Sequence, residues 1–578
     1  MKKTKIILFT FIISFWTFLC SDNIQREQIQ LTILNGMERI GLDVKPKAKP
    51  EIHIKSAKNE YESFQVVVTA PIKNLKITSV KTTDLEGKNG AKIENTHINI
   101  FREEYIRVKT SSPRAELPPG LYPDALIPLK NPITGEEIKP LSFISKNGKN
   151  IITGQRIHGL PIDIFKGQNQ PFWIDVYIPK NTPAGNYKGL ISITDSDTIS
   201  KEIPIHLTVW DFSLPDGPTH NNHFGNFTRI AEKHNVKRDT EEYYTIERRY
   251  CKSMAEHRIN PPIPKNLLPE VNKDGSLTVL PEKHKALEQF IKELNVTNFE
   301  IPRAPFEDIL NRDRQKAIKY YKDFYNYLKQ NGWDKGAYLY MLDEPNTKEA
   351  YQLVRDLGDL VKDAIPEIRR LVVEQTFLQN PEWGDIDSAI DIWCPLFGYI
   401  DEESINEKIK NGDDVWSYTA LVQRASSYHP NYQIVKDKNP PYWQNDFPPI
   451  NYRIPLWINY RYNITGLLYW TTVWWDTQGG DIWYGQAFRG RFNGEGMLFY
   501  PGTEAGIDGP ITTIRLKNIR DGMEDFEYFA LLKNQGEKEF VNSVVREIAP
   551  NWWNYNKMPE LLFNAREKLG KRISQLIK

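Results

Sequence analysis

Cysteine is scarce in this chain: its 578 residues include only three. Cys20 follows a short apolar segment, whereas Cys251 and Cys394 are isolated and far apart in sequence. Because no Cys-x-x-Cys pair is present, the sequence does not suggest a structural zinc site. A disulfide between Cys251 and Cys394 is compatible with an exported protein, but we expect two reduced, buried thiols.

An excess of either charge is also lacking. The 75 Lys and Arg residues nearly balance the 74 Asp and Glu residues, and no basic stripe indicates a nucleic-acid partner. The sequence has no Gly-x-Ser-x-Gly elbow, no His-Glu-x-x-His motif and no phosphate-binding loop of the Gly-x-x-x-x-Gly-Lys type. These absences exclude the common serine hydrolase, zinc protease and nucleotide-binding motifs, and we expect neither a metal nor an organic cofactor.

The longest apolar run lies at the N-terminus and is too short to span a membrane comfortably. Lys2, Lys3 and Lys5 precede the apolar stretch 6–19, the pattern of a secretion signal over 1–20. Cys20 then stands where a bacterial lipoprotein carries its lipid, and cleavage near Ser21 is the alternative. A lipidated Cys20 would anchor the exported protein to the cell envelope, on the periplasmic or outer surface, without a membrane span; otherwise the protein is secreted.

Alternating apolar and polar residues dominate the first third of the mature chain. They occur at 63–68, 172–178 and 203–209, and turn residues at 182–186 separate such runs. Short strands with regular turns predict a β-sandwich over 29–213.

After the turn residues at 214–218 the pattern changes to strands that alternate with amphipathic helices. Helical stretches such as 241–257 and 281–294 separate eight candidate strands: Asn222–Phe227, Ile259–Ile263, Asn298–Ile301, Ala337–Leu342, Arg370–Gln375, Ala389–Pro395, Asp414–Tyr418 and Thr465–Thr471. Eight such units predict a catalytic (β/α)8 barrel of the TIM type over 219–500. A helical region at 501–578, packed on the barrel, completes a multidomain chain, as its length leads us to expect.

Two adjacent carboxylates end the fourth of these strands. The apolar and aromatic run 338–342 leads into Asp343 and Glu344, Pro345 follows, and a helix is predicted from about Thr347 to Ala364. Functional residues of barrels lie at the carboxyl ends of strands. Pro345 is expected to hold Glu344 extended, because a residue before proline avoids the α region. The alternative is that these acids only cap the next helix.

The spacing of this pair favours one kind of chemistry. Most glycosidases place two carboxylates on opposite sides of the scissile bond, whereas neighbours on one strand point to opposite faces of the sheet. An adjacent pair therefore fits substrate-assisted hydrolysis better, in which the 2-acetamido oxygen of the sugar is the nucleophile. That scheme needs one general acid/base and one carboxylate that orients the acetamide N–H.

The chain resembles glycoside hydrolase family 123, the β-N-acetylgalactosaminidases and related proteins. The resemblance rests on the motif Tyr-Met-Leu-Asp-Glu-Pro at 340–345 and the Trp-rich segment at 466–475, and further on the stretches 494–502, 514–516 and 520–528. It covers most of the chain, including the first β-rich part. It implies removal of terminal β-linked N-acetylgalactosamine, with retention of configuration, by Glu344 as general acid/base and Asp343 as the residue that orients the acetamide and stabilises the oxazolinium intermediate.

Candidate substrate-binding residues lie near other strand ends. Seven of the 15 tryptophans fall between Trp416 and Trp483, a concentration that suits an aromatic cleft for sugar rings, although tryptophans also fill cores. A phenol such as that of Tyr418 can hydrogen-bond the acetamide oxygen. The predicted binding residues are His223, Trp393, Trp416, Tyr418, Trp470, Trp475 and Asp476. The alternative for His223 is a purely structural histidine, and the alternative for Asp476 is a residue that only caps a loop.

Two further interpretations stay open. In the first, the same barrel cleaves a different sugar, and a carboxylate from another strand, such as Glu300 or Glu374, faces Glu344. In the second, the chain is a non-catalytic glycan-binding surface lipoprotein. The expected partner is in each case a glycan or glycolipid, with no nucleic acid and with a membrane contacted only through the lipid anchor.

Overall fold

The computed structural model describes residues 29–47, 51–146, 149–227, 229–475, 481–483 and 487–577. They form two compact units. Among the described residues, the first unit comprises those up to Arg107 together with Gly120–Asp211 and Glu504–Ile507; the second comprises those in Val108–Pro119, in Phe212–Thr503 and from Asp508 onward.

The first unit is built of β-strands, numbered here in chain order. One five-stranded sheet has the order β1 (Gln30–Asn35), β3 (Glu60–Thr69), β12 (Asn169–Ile178), β7 (Ile98–Val108) and β8 (Gly120–Pro128). A seven-stranded sheet has the order β11 (Ile162–Ile164), β4 (Leu75–Thr82), β13 (Gly185–Asp195), β14 (Ser200–Ser213) and β2 (Ile52–Lys58). In addition, β5 (Leu85–Glu86) pairs with β13, and β6 (Lys92–Ile93) pairs with β5. A separate hairpin consists of β9 (Ser142–Lys146) and β10 (Lys149–Thr153).

One hydrophobic cluster joins the two sheets. Val66 and Phe172 contribute to it from the five-stranded sheet, and Ile77, Ile193 and Ile205 from the other. Burying alternate side chains of each strand on a shared face holds two such sheets together. The β-rich unit predicted from the alternation is confirmed, and the predicted strand segments at 63–68, 172–178 and 203–209 lie within β3, β12 and β14.

The second unit contains a curled parallel sheet surrounded by helices. Its seven strands have the order β15 (Asn221–His223), β23 (Gly466–Tyr469), β22 (Asp414–Thr419), β21 (Ile392–Trp393), β20 (Arg369–Val373), β19 (Ala337–Asp343) and β18 (Phe299–Glu300). Short hairpins are formed by β16 (Glu270–Val271) with β17 (Leu277–Thr278), β24 (Ala487–Phe488) with β25 (Phe492–Asn493), and β26 (Tyr500–Pro501) with β27 (Pro510–Ile511).

The predicted strand at 259–263 is wrong. Pro261, Pro262 and Pro264 lack the N–H groups that a ladder needs, so this segment cannot pair along its length. Asparagine side chains bridge the sheet edges instead, in what we call the asparagine seam: Asn222, Asn260 and Asn298. The backbone N–H of Asn260 donates to Asn222 Oδ1 at 2.7 Å, and Asn298 Nδ2 donates to the carbonyl of Asn222 at 3.0 Å. The seam thus links the terminal strands β15 and β18 of the sheet order.

Twelve helices are described in the second unit: Ile230–Lys233, Glu241–Glu256, Pro281–Glu293, Arg314–Gln330, Lys348–Ala364, Glu402–Lys410, Tyr432–Val435, Ile450–Arg453, Pro455–Arg461, Ile514–Asn534, Lys538–Ile548 and Pro559–Leu576. Three of them confirm the predicted helices at 241–257, 281–294 and 347–364. The last of these begins where Thr347 Oγ1 accepts a hydrogen bond from the N–H of Ala350 at 3.1 Å. Between β20 and β21 only short 3-10 turns occur, so strand–helix alternation is not regular throughout.

The helix Ile514–Asn534 is buried along most of its length, charged residues included. Asp525 accepts two hydrogen bonds of 2.7 Å from Arg453 and one of 2.9 Å from Trp457 Nε1. A buried charge persists when such partners satisfy it. These contacts make Asp525 part of a structural charge network.

Two sequence-based expectations concern membranes and thiols. Among the described residues, no helix has the length and apolar character needed to cross a bilayer. Cys251 and Cys394 are both buried and unbridged, as expected.

Candidate active site

A cavity of about 830 Å³ lies at the carboxyl ends of the strands of the curled sheet. His223 ends β15, Glu300 ends β18, Asp343 ends β19, and Tyr418 and Trp470 lie at the ends of β22 and β23. Ligands of parallel α/β sheets bind at this end of the strands.

A β-bulge brings Asp343 into the cavity. The pairing register of β19 against β20 shifts between Tyr340 and Leu342. Consecutive residues Met341 and Leu342 both line a second cavity beside the helix Lys348–Ala364, whereas Asp343 lines the main one. An inserted residue re-aims the side chains that follow it, which is how bulges serve active sites.

Glu344 departs from the predicted conformation. Its φ is +43°, in the left-handed region, so the expectation that Pro345 holds it extended is wrong. Proline disfavours only the right-handed α region for its predecessor, and here the N–H of Glu344 donates to the carbonyl of Val373 at 3.1 Å. Asp343 and Glu344 consequently line the same cavity, and the rule that strand neighbours face apart does not apply to them.

Each carboxylate is held by its own tyrosine. The hydroxyl of Tyr340 donates to Asp343 Oδ1 at 2.9 Å, and that of Tyr418 donates to Glu344 Oε1 at 2.5 Å. Burial and the neighbouring carboxylate raise the pKa of both phenols above its ordinary value, so both stay donors. In this structure the hydroxyl of Tyr418 is directed at Glu344, and its bond to an acetamide oxygen stays a prediction.

His223 supports the Asp343 side of the cavity. Its ring stacks on that of Tyr340, with centroids 5.5 Å apart and planes 5° from parallel. Its Nδ1 lies 2.8 Å from the hydroxyl of Tyr338 and 3.6 Å from Glu300 Oε2. Burial lowers the pKa of His223, against the opposing effect of Glu300 and Asp343. The imidazole thus fixes the ring that carries the hydroxyl bound to Asp343.

Aromatic rings form another part of the cavity lining. Trp470 lies 5.2 Å from Trp474 and 5.3 Å from Phe488, measured between ring centroids. Its indole N–H donates to Oε1 of the buried Glu495 at 2.7 Å, which fixes the ring. Gly225 permits the close packing here: it has φ +67°, and a Cβ would lie 2.2 Å from the carbonyl oxygen of Trp470. Rigid aromatic faces offer apolar contact area to a ligand.

The structure brings together five of the predicted site residues: Asp343, Glu344, His223, Tyr418 and Trp470. The other three predicted tryptophans pack elsewhere: Trp393 donates to Asp413 beneath the ammonium of Lys408, Trp416 packs on Tyr338, and Trp475 donates to the carbonyl of Phe499. Asp476 and Cys20 lie outside the described residues.

Several lining residues were not predicted. Tyr338 and Tyr340 are separated by one residue on β19, a period-two signal for a shared face that sequence analysis left unused. Trp474 and the supporting Glu495 lie in loops, and Phe488 lies in the two-residue strand β24, so no periodic pattern marks them. Within the described part of the chain, no group of three or more His, Cys, Asp or Glu side chains is placed to hold a metal ion.

A pair of acids, fixed by tyrosines in a cleft with aromatic walls at the carboxyl end of a parallel sheet, fits the class of the glycoside hydrolases. Two family models agree with this class: the glycoside hydrolase 123 catalytic domain matches residues 311–532, and the glycoside hydrolase 123 N-terminal domain matches residues 42–195. The chain belongs to glycoside hydrolase family 123, which confirms the resemblance noted in the sequence.

Among solved structures, the chain is similar to a family 123 glycoside hydrolase from Clostridium perfringens studied for the hydrolysis of glycolipid glycans. The TM-score is 0.66 at 13% identity, over 95% of this chain and 98% of the other, so the two share a fold. A GH5 xyloglucanase from Bacteroides ovatus (9% identity, 86% and 100% coverage) and a GH2 β-galacturonidase from Eisenbergiella tayi (9%, 80% and 69%) have TM-scores of 0.26 and 0.27, too low to inform the fold. No curated protein sequence matches the chain.

Proposed function

We propose that this glycoside hydrolase removes terminal β-linked N-acetylgalactosamine from glycans or glycolipids by substrate-assisted catalysis with retention of configuration. The observation that carries the proposal is that two adjacent carboxylates share one cavity, each with its own tyrosine donor. Separate partners suit separate tasks for the two acids.

Glu344 acts as the general acid/base. It gives its proton to the glycosidic oxygen while the acetamide oxygen attacks C1, so the C1–O bond to the leaving group breaks as the oxazolinium ring closes. Water then attacks C1 and gives a proton to Glu344. The bond between C1 and the acetamide oxygen breaks, the acetamide re-forms, and the configuration at C1 is retained overall. The hydroxyl of Tyr418 steadies the carboxylate that Glu344 becomes between the two steps.

Asp343 orients the acetamide. Its carboxylate accepts a hydrogen bond from the acetamide N–H and offsets the positive charge that develops on the oxazolinium ring. Tyr340 holds Oδ1 of Asp343, and His223 stacks on Tyr340, so the carboxylate is positioned before substrate arrives. Such preorganisation is the main way in which a fixed charge lowers a barrier.

The test is hydrolysis of aryl β-N-acetylgalactosaminide, N-acetylglucosaminide and plain galactoside by the wild type, Glu344→Gln and Asp343→Asn. We expect turnover of the first substrate, loss of at least ~100-fold in either variant, and competitive inhibition by a thiazoline analogue of the intermediate. Glu307→Gln, at an exposed position paired with Arg312, is the matched control and keeps full activity. Efficient cleavage of the plain galactoside would contradict the substrate-assisted scheme.

A second candidate function is cleavage of a different sugar on the same site. Glu300 lines the cavity that holds Glu344, and its Oε2 lies near His223, so a carboxylate from another strand is available. Under this alternative Glu300→Gln abolishes turnover and the thiazoline does not inhibit. Glycan binding without any turnover would instead favour the non-catalytic surface lipoprotein.

We also propose that the protein is exported and lipid-anchored through Cys20. The basic residues and apolar stretch before Cys20 support this. Metabolic labelling with palmitate in a bacterial host tests it: wild type should incorporate label and Cys20→Ala should not. Unlabelled, soluble wild-type protein with an N-terminus near Ser21 would favour simple secretion.

For the architecture, we propose a (β/α)8 barrel over 219–500 in which 259–263 occupies the place of the missing strand. The asparagine seam supports this, because it joins the strands on either side of that place. The division at 29–213, 219–500 and 501–578 is part of the same proposal. Limited proteolysis should cut first near 214–218; stable fragments with ends inside 219–500 would contradict it.

A further inference from the structure

A small side cavity adjoins the main one behind Glu344. It has a volume of about 140 Å³, and Glu344, Tyr418 and Gln423 line both cavities. Its other polar lining includes Glu374 and Tyr428. At ~30 Å³ for each water in liquid, this space holds a few water molecules and is too small for a second sugar.

Glu374 is the residue of interest in this cavity. It follows β20 directly and is 5% exposed. Tyr351 and Gln375 are near enough to its carboxyl group to oppose part of the rise in its pKa. The oxygen Oε1 nevertheless finds no hydrogen-bond partner among the described residues. A buried polar atom without a protein partner, next to a polar cavity, indicates contact with water.

The surroundings of Glu374 oppose a negative charge. Tyr351, Tyr399, Tyr428 and Cys394 face it or line the same cavity, together with Glu344, and the described lining contains no Lys, Arg or His. Burial, to which the charge of Glu344 adds, raises the pKa of Glu374 to about 8. An unpaired carboxylate in such a place is costly, so the group keeps its proton near neutral pH. A protonated carboxyl has an O–H donor, which an ionised one lacks.

We propose that Glu374 is a positioning residue: as a neutral carboxylic acid it donates a hydrogen bond, through water in the side cavity, toward Glu344. This inference rests on the proposed role of Glu344 as acid/base. Tyr418 then holds Glu344 from the main cavity and Glu374 supports it from the side cavity. No proton is transferred to Glu344 in this scheme, because the proton of Glu374 stays in place and only its hydrogen bond contributes.

Two variants separate this role from a merely structural one. Glu374→Gln keeps a neutral donor of the same shape, so we expect kcat/KM within ~3-fold of wild type at neutral pH. Glu374→Leu removes the donor, and we expect a loss of ~10-fold or more, the cost of a water-mediated bond to a charged group. Below about pH 8, where wild-type Glu374 keeps its proton, the pH profile of kcat/KM should move in Glu374→Leu but not in Glu374→Gln, since only the former changes what supports Glu344.

Infrared difference spectroscopy tests the protonation state without substrate. The spectrum of wild type minus that of Glu374→Gln at pH 7 should contain the carbonyl band of a protonated carboxyl group, which fades as the pH rises through about 8. Absence of that band at pH 7 would overturn the inference, as would equal loss of activity in both variants. Neither result would touch the proposed sugar specificity, which the substrate panel decides. Thermal melts check folding, and if Glu374→Leu does not fold, the Gln variant and the infrared band still decide.

Discussion

Replacement of Tyr340 by Phe tests how the cavity positions Asp343. The change removes one hydroxyl, which donates to Asp343 Oδ1 at 2.9 Å, and keeps the ring that stacks on His223. Burial and Asp343 keep the pKa of Tyr340 far above the assay range, so the wild-type phenol donates at every pH used. We therefore expect Tyr340→Phe to leave the fold intact and to loosen only Asp343.

The size of the effect follows from the kind of bond that is lost. A hydrogen bond to a charged group contributes about 1.5–3 kcal/mol, and each 1.36 kcal/mol changes a rate tenfold. If the whole contribution serves the transition state, kcat/KM on an aryl β-N-acetylgalactosaminide falls by about 10- to 100-fold.

A double-mutant cycle with Asp343→Asn is the assay. Because Tyr340 acts through Asp343, adding Tyr340→Phe to Asp343→Asn should cause almost no further loss of activity. Tyr327→Phe is the matched control: its phenol hydrogen-bonds His284 at 2.9 Å away from the cavity lining, and activity should stay within ~2-fold. Additive losses from Tyr340→Phe and Asp343→Asn would refute the reasoning, as would full activity of Tyr340→Phe.

Three other changes have defined outcomes. Tyr418→Phe removes the donor to Glu344, and its loss of kcat should be greater on an alkyl glycoside than on a nitrophenyl glycoside, whose leaving group needs little help from an acid. Asp525→Asn breaks the buried bidentate pair with Arg453 and should lower the free energy of unfolding in urea by about 3–5 kcal/mol; an unchanged midpoint would contradict the network. Glu103 is fully buried, and burial raises its pKa to about 8. The unfolded chain loses this proton near pH 4.3, so stability should fall as the pH rises from about 4.3 to about 8, and Glu103→Gln should abolish that fall.

The sequence sufficed to find the two acids. A run of apolar and aromatic residues followed by Asp343, Glu344 and Pro345 predicts a strand end with exposed carboxylates, and β19 ends at Asp343. It did not predict that both side chains enter one cavity. That outcome depends on the bulge at 340–342 and on the left-handed Glu344, and both are set by pairing with β20, which no local pattern encodes.

Tryptophan composition was a less specific guide. The enrichment near the end of the sheet is real, but Trp416 and Trp475 fill the interior while Trp470 faces the cavity. Composition cannot distinguish these cases, because a large ring serves a core and a cleft equally well. The strand predicted at 259–263 failed for a reason visible in the sequence, since three prolines in four positions remove the ladder donors.

The asparagine seam makes the curl of the sheet depend on amide chemistry. A main-chain ladder cannot be altered by substitution, whereas each bond of the seam belongs to a side chain that can change. An amide both donates and accepts, and a carboxylate only accepts. Hydrolysis of the Asn298 amide to Asp would therefore delete its donor and bury a charge beside the main cavity. Loss of that donor would remove the bond by which Asn298 holds the carbonyl of Asn222 in β15.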